Sequence, residues 1–227
     1  MKFEEKIKDK YLYSSKFNLF KFLYYNFQFL KSKFKPRIIN ANWGLDVIIN
    51  DIFKKKKNGL YIDVGCHHPL INNNTYLLHK KGWKGINIDL DYSSIEMFKY
   101  FRPNDDNRKV ALSDKTGEAN LYFFHNRAPK NTISHTRGRG AKSIKKIEIN
   151  TLDNLIKSSK FKVNTIDVLS IDVEGNELKV LKGLNFKKYK PKIVVLEFIK
   201  PKISEFYHHK VENIIKSDIY KFMKKKN

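Results

Sequence analysis

The stretch L-Y-I-D-V-G-C-H-H-P at residues 60–69 decides the fold of this chain. Its apolar start predicts a short buried strand, and Asp63 and Gly65 add a carboxylate and a tight turn where that strand ends. A second apolar run, over residues 85–89, also ends on a carboxylate, Asp89. Two strands that end in this way are typical of a nucleotide-type cofactor site in an open α/β sheet.

Predicted strands and helices alternate outward from this stretch. Apolar runs predict strands over residues 108–112, 119–124, 147–150, 166–171 and 193–197, and a K-T-G turn before the second of these favours antiparallel pairing. Periodicity and capping residues predict helices over residues 42–54, 75–81, 152–156 and 176–184, with Ser93 or Ser94 capping a further helix through Phe101. The alternation predicts an α/β fold with a mostly parallel, doubly wound sheet and helices on both faces.

The composition shift along the chain predicts two parts. A basic, helical N-terminal extension over residues 1–58 is expected to precede one domain over residues 59–227. Within that domain the polar segment 130–143 carries two glycines and predicts a mobile loop.

Carboxylates follow two later strands as well. Asp172 and Glu174 come after the predicted strand 166–171, and Glu197 ends the strand 193–197. Because Asp172 and Glu174 are two apart, an extended strand end would point both to one side. Such a pair can act as a general base, bind a metal, or hold the ammonium group of a cofactor. A helix-entry turn that uses the carboxylates for capping is the structural alternative.

The first turn carries the candidate cofactor residues. Gly65 lets the backbone approach a ligand closely, and Asp89 can accept both hydroxyls of a ribose. The sequence has neither a G-x-G-x-x-G nor a P-loop motif, so an adenosine cofactor without phosphates fits best. Cys66 is interpreted as a small residue of the turn. His67 and His68 can each accept a proton near neutral pH, and packing or exposure to water explains them equally well.

The composition restricts the cellular compartment and the binding partners that can be expected. The formal charge is +23, but only 6 of the 46 basic residues are arginine, a lysine-rich balance typical of an AT-rich genome. General basicity is therefore favoured over a dedicated polyanion site, and nucleic acid is not the expected partner. The single cysteine excludes an internal disulfide framework and favours a cytoplasmic protein. The sequence contains no Cys/His cluster with zinc spacing, so no metal is predicted.

The segment 17–30 predicts an amphipathic helix with an unusual face. Its polar residues Asn18, Lys21, Tyr25, Gln28 and Ser32 form one narrow stripe, and the rest of the face is Phe, Leu and Tyr. The apolar run is shorter than the roughly 20 residues needed to cross a bilayer. Residues 16–37 fit a helix on a membrane surface, with Lys31, Lys33, Lys35 and Arg37 at lipid phosphates; packing on the domain or in a dimer fits equally.

Several motifs together resemble the FkbM family of S-adenosylmethionine-dependent methyltransferases. They are D-V-G at 63–65, G-W-K-G-I-N-I-D at 82–89, T-L-D at 151–153, L-S-I-D-V-E-G-N-E-L at 169–178 and P-K-I-V-V-L-E at 191–197. The resemblance implies a Rossmann-like class I methyltransferase fold and O-methylation of a sugar hydroxyl on a glycan, glycolipid or related metabolite. It also implies that Asp63 and Gly65 belong to the cofactor turn, Asp89 to the ribose contact, and Asp172 with Glu174 to the methyl-transfer end of the pocket. We add Cys66 and Leu90 to the expected cofactor-binding residues and His68 to the expected catalytic ones.

Two departures from the family accompany the resemblance. Pro69 stands where the family usually has a glycine, and the chain leaves room for about one more strand near residues 219–223, so a shortened C-terminal edge is expected. The rival interpretations are an RNA methyltransferase, favoured by the charge, and a basic membrane-associated protein that keeps the fold without the activity.

Overall fold

The computed structural model describes residues 8–12, 16–34, 39–125, 128, 130–198 and 211–226. Lys35 and Arg37, predicted to meet lipid phosphates, lie outside these residues, as do Pro36 and the side chain of Lys33. The chain divides into two compact units, Met1–Lys109 and Val110–Asn227. Each unit is described by itself.

The first unit holds three parallel strands and four α-helices among its described residues. They are α1 Asn18–Phe34, α2 Leu45–Ile52, β1 Leu60–Val64, α3 Tyr76–Lys80, β2 Lys84–Asp89, α4 Tyr92–Phe101 and β3 Asp106–Lys109. β2 lies between β1 and β3 and pairs with both in parallel. Ile62, Ile86 and Ile88 are buried in the strands, where apolar side chains on both faces are typical of a parallel sheet.

The second unit holds the remaining strands and helices. They are β4 Ala111–Ser113, β5 Gly117–Phe123, β6 Ser143–Thr151, α5 Leu152–Lys157, β7 Val168–Ile171, α6 Glu177–Lys182, α7 Phe186–Tyr189, β8 Ile193–Leu196, α8 Val211–Ile215 and α9 Asp218–Lys224. β7 and β8 pair in parallel, while β6 pairs in parallel with β4 and antiparallel with β5. The five-stranded sheet has the order β3-β2-β1-β7-β8, which confirms the Rossmann-like α/β fold.

The strand predicted over residues 108–112 is wrong, because the chain changes sheets inside it. Arg108 pairs with Ile88 in the parallel sheet, whereas Ala111 pairs with Ile149 of β6. The two pieces differ in character: β3 reads D-N-R-K, polar enough for a sheet edge, while β4 reads A-L-S and is buried throughout. A single apolar-run prediction cannot detect a change of partner between two short strands.

Helix caps correct two other local predictions, the start of helix α4 and the element near residues 219–223. α4 begins at Tyr92, because the Asp91 carboxylate accepts the Ser94 backbone N–H at 3.0 Å and so caps the helix ahead of Ser93 and Ser94. The strand expected near residues 219–223 is helix α9 instead, with Ser217 accepting the Tyr220 N–H at 3.1 Å. The predicted cap at Thr151 is confirmed by its bond from the Asn154 N–H.

No described helix combines the length and the apolar character that crossing a bilayer requires.

Candidate functional site

The turn after β1 is held against β2 by its backbone. The N–H groups of Gly65 and Cys66 both donate to the Ile88 carbonyl, at 2.8 and 3.1 Å. Gly65 adopts φ +80°, a left-handed conformation that a side chain would strain. The predicted glycine turn is therefore present directly after the strand.

Asp63 supports this turn from inside the protein. Its carboxylate is buried, and its Oδ2 accepts hydrogen bonds from Asn73 Nδ2 and Thr75 Oγ1, both at 2.9 Å. Asn73 Nδ2 also donates to the Cys66 carbonyl at 3.2 Å, which links the carboxylate to the turn. These partners are protein groups, and the cofactor contact assigned to Asp63 by resemblance stays a prediction.

Asp89 joins the ends of the first two strands. Its Oδ2 accepts the His67 backbone N–H at 2.9 Å, and its Oδ1 accepts the Asp91 N–H at 2.8 Å. Both carboxylate oxygens therefore lie at this turn, and the ribose contact assigned to Asp89 by resemblance stays a prediction. Asp89 and the neighbouring Leu90 are only partly buried, as a contact with a bound ribose requires.

Cys66 and His68 occupy the turn in different ways. The Cys66 side chain packs on Ile95 and Phe98, and burial raises the pKa of its thiol well above the ordinary value, so the thiol is neutral. His68 Nδ1 accepts the backbone N–H groups of Leu70 and Ile71 at 3.1 and 3.2 Å. Because Nδ1 accepts these bonds, the proton of the neutral ring lies on Nε2, which is then a donor. Nδ1 could take up a proton only by giving up the two backbone bonds, and the proton acceptor role of His68 stays a prediction.

Arg102 lies at the centre of the hydrogen bonds behind the turn after β1, and the sequence interpretation missed it. The guanidinium is fully buried. Its Nη1 donates to Tyr61 Oη (3.2 Å) and Thr75 Oγ1 (3.1 Å), and its Nη2 donates to the Pro69 carbonyl (2.6 Å) and Asn73 Oδ1 (2.8 Å). The chain from Pro69 to Thr75 is thus folded around one arginine. The scarcity of arginine in this lysine-rich chain is the one signal that marks it.

The turn after β7 contains the second group of predicted residues. Glu177 closes this turn, since its Oε1 accepts the backbone N–H groups of Val173 and Gly175 at 3.1 and 3.0 Å. Glu174 adopts φ +55°, an uncommon conformation for a residue with a side chain. Glu177 thus supplies a capping carboxylate for this turn, and the roles expected of Asp172 and Glu174 stay predictions.

Asp172, Glu174 and Glu197 form a carboxyl cluster, with one oxygen of each lying within 4.8 Å of the others. Burial raises the pKa of Glu197 to about 9, and the charge of Asp172 and a hydrogen bond with it act in the same direction. Glu197 is therefore protonated at neutral pH and shares its proton with Asp172. Three convergent carboxyl oxygens can also hold a hard cation such as Mg²⁺, one of the alternatives left open by the sequence.

The profile of the Methyltransferase FkbM domain matches residues 63–222, well over half of the chain. The chain belongs to the FkbM family. No curated protein and no solved structure matches it significantly. The match begins at Asp63 and includes the Gly65 turn, Asp89 and the carboxyl cluster, so the family predicted from the motifs is confirmed. FkbM membership supports methyltransferase activity.

In this FkbM chain the segment 130–143, predicted to be a mobile loop, contacts the turn that carries Glu174. Thr132 pairs with Tyr122 of β5, and its Oγ1 donates to the Glu174 carbonyl at 2.9 Å. Arg137 forms an ion pair with the Glu174 carboxylate. These contacts join the segment 130–143 to the Glu174 turn, while its mobility stays a prediction, and Arg137 supplies a positive charge beside the carboxyl cluster. Arg137, between Thr136 and Gly138, gave no sequence signal for this pairing.

The protonated Glu197 predicts a pH dependence of stability. In the unfolded chain a glutamate titrates near 4.3, whereas in the folded FkbM chain the pKa of Glu197 is about 9. Its contribution to stability is full below the lower value and is lost as the pH rises through the higher one. We therefore expect the melting temperature of wild type, relative to Glu197→Gln, to fall steadily between pH 5 and pH 9, since glutamine does not titrate.

Differential scanning calorimetry of both proteins across this range measures the effect, because the other titrating groups cancel in the difference. Glu118→Gln, an exposed glutamate of β5, is the matched control and should give a difference independent of pH. A flat difference between wild type and Glu197→Gln would show that Glu197 is ionised in the folded chain.

Proposed function

We propose that this chain is an S-adenosylmethionine-dependent O-methyltransferase that acts on a sugar hydroxyl of a glycan, glycolipid or related metabolite. The observation that carries the proposal is the hydrogen-bonded pair of Asp172 and protonated Glu197 inside a cluster of three carboxyl groups. A hydroxyl loses a proton when it is methylated, so the reaction needs an acceptor for that proton. Carboxylates also bind paired sugar hydroxyls through their two oxygens.

The residues of the first unit fit the cofactor. The partly buried carboxylate of Asp89 can accept ribose hydroxyls, and Gly65 adds no side chain at the point where an adenosine would approach the turn. Neither requires a phosphate, which agrees with the missing phosphate-binding motifs. S-adenosylmethionine, when bound, supplies a methyl group on a positively charged sulfur. These residues hold the adenosine part, and no glycine-rich cradle for a pyrophosphate is needed.

The residues of the second unit accept the proton that the hydroxyl loses. Methyl transfer to a hydroxyl oxygen would release the hydroxyl proton, and the Asp172 carboxylate would accept it. Glu197 orients the Asp172 carboxylate through their hydrogen bond, and Arg137 pairs with Glu174. Positioning of the hydroxyl supplies a large part of the rate.

Incubation with methyl-labelled S-adenosylmethionine tests the acceptor class. The purified full-length chain is mixed in parallel with polysaccharide, polar lipid and RNA fractions, and label is followed into each. We expect label in a polysaccharide or glycolipid fraction, stable to base and recovered as an O-methyl sugar after acid hydrolysis. Label confined to RNA would replace the proposal with the RNA methyltransferase, and cofactor binding without transfer to any fraction would favour the non-catalytic alternative.

The contact between Asp89 and the ribose predicts a specific loss of cofactor affinity. Asp89→Asn removes the charge that strengthens two hydrogen bonds, so we expect the dissociation constant for S-adenosylmethionine to rise about tenfold or more. Isothermal titration calorimetry measures the change. Asp91→Asn is the matched control, because asparagine caps helix α4 as well as aspartate does and should leave the affinity unchanged. Equal affinities for wild type and Asp89→Asn would remove Asp89 from the cofactor site.

A further inference from the structure

Helix α1 presents apolar side chains outward and two residues of its polar stripe, Lys21 and Tyr25, inward. Leu19, Leu23 and Phe27 are 73%, 58% and 59% exposed, whereas Lys21 and Tyr25 are only 6% exposed. Residues two positions apart on an α-helix point about 200° apart, so the exposed stripe lies opposite the buried one. A surface helix of a globular protein normally has the reverse arrangement.

The inward side of α1 is fixed by helix α4. The Tyr25 ring lies 5.3 Å from the Tyr100 ring and 6.0 Å from the Phe101 ring. Lys21 places its ammonium 5.5 Å from the centre of the Tyr92 ring. These contacts determine which side of the helix faces the unit, so the outward position of the leucines follows from packing.

The apolar stripe is part of a larger exposed set on the same helix. This set adds Phe17, Phe20, Phe22, Phe29 and Leu30 to the three residues above. Continuous apolar surface of this extent is rare on a monomeric soluble protein and marks an interaction site.

Charge decides between the surfaces that could cover this stripe. From Lys10 to Leu45 the sequence contains seven basic residues and no acidic one, and the whole chain carries +23. Two copies of the chain therefore repel each other, whereas an anionic bilayer attracts the segment. An amphipathic helix with aromatic and leucine side chains on one face and lysines beside it binds in the plane of such an interface.

We propose that the outward stripe Leu19, Leu23 and Phe27 of helix α1 docks the chain on an anionic lipid surface. The helix lies parallel to the bilayer, with the stripe among the acyl chains and the exposed Lys16 and Lys31 at the headgroups. The proposal does not depend on the acceptor or the cofactor, because α1 precedes every residue assigned to methyl transfer.

Vesicle co-sedimentation of the full-length chain tests the docking. Wild type and the triple variant Leu19→Gln/Leu23→Gln/Phe27→Gln are mixed with vesicles of phosphatidylcholine alone and of phosphatidylcholine with 30% phosphatidylglycerol. The variant removes exposed apolar groups only, so its fold is expected to persist. Ile144→Gln/Ile214→Gln/Ile215→Gln, which changes three exposed isoleucines of the second unit, is the matched control.

We expect wild type and the control to pellet with the anionic vesicles, and the triple variant to show at least a tenfold lower partition coefficient. Binding to the neutral vesicles should be weaker for all three proteins. The proposal is overturned if wild type stays in the supernatant, or if the triple variant pellets as wild type does. A wild-type dimer in sedimentation equilibrium that the triple variant abolishes, without vesicle binding, would assign the stripe to a second copy instead.

Discussion

Asp172→Asn is expected to lower the rate of methyl transfer by a factor of about 10²–10⁴, the usual contribution of a positioned proton acceptor. Asparagine has nearly the shape of aspartate but cannot take up the hydroxyl proton. It also cannot accept the Glu197 proton as a charged partner, so the hydrogen-bonded pair is weakened. The measurement is single-turnover transfer of labelled methyl to the acceptor fraction that wild type modifies.

Cofactor affinity separates a catalytic role of Asp172 from a structural one. If the carboxylate acts on the proton alone, the dissociation constant for S-adenosylmethionine remains within about twofold of wild type while the rate falls. Asp114→Asn changes an exposed aspartate that accepts the Ser113 hydroxyl; it is the matched control and should leave both quantities unchanged. Transfer by Asp172→Asn at the wild-type rate would contradict the assignment and direct attention to Glu174.

Local signals in the sequence were sufficient for much of the fold. The strand over residues 60–64 is predicted with its observed bounds, and the Thr151 cap and helix α5 follow from an oxygen-bearing residue before an apolar periodic run. The Gly65 turn follows from the conformational freedom of glycine. These features depend on residues a few positions apart, which is the distance over which sequence patterns carry information.

The features that the sequence could not supply depend on contacts distant along the chain. Arg102 meets the Pro69 carbonyl 33 positions away, and Arg137 pairs with Glu174 across 37 positions. The proton on Glu197 results from burial together with Asp172 and Glu174, none of which is next to it in sequence. The carboxylates themselves were found from strand ends, but their protonation and their partners require the folded chain.

Arg102→Met is expected to destabilise the chain by about 3–5 kcal/mol, the loss typical when one member of a buried charged network is removed. Its two partners Thr75 and Asn73 bind the buried Asp63, and its third partner, Tyr61, donates to the buried Asp105 at 2.6 Å. Removal of the arginine leaves two buried carboxylates without the positive charge between them. Chemical denaturation followed by circular dichroism measures the free energy of unfolding.

Arg108→Met provides the matched comparison, because Arg108 forms an ion pair with Asp106 at the edge of the sheet, where its side chain is 37% exposed. Its partner Asp106 is buried, but water reaches the Arg108 side chain, so we expect a smaller loss than for the fully buried Arg102. The two substitutions share their chemistry and differ in the burial of the arginine. Tyr61→Phe removes one hydroxyl from the Arg102 network and should cost about 1–2 kcal/mol, which keeps the idea testable if Arg102→Met does not fold. Equal losses for Arg102→Met and Arg108→Met would mean that the turn from Pro69 to Thr75 holds its shape without the arginine.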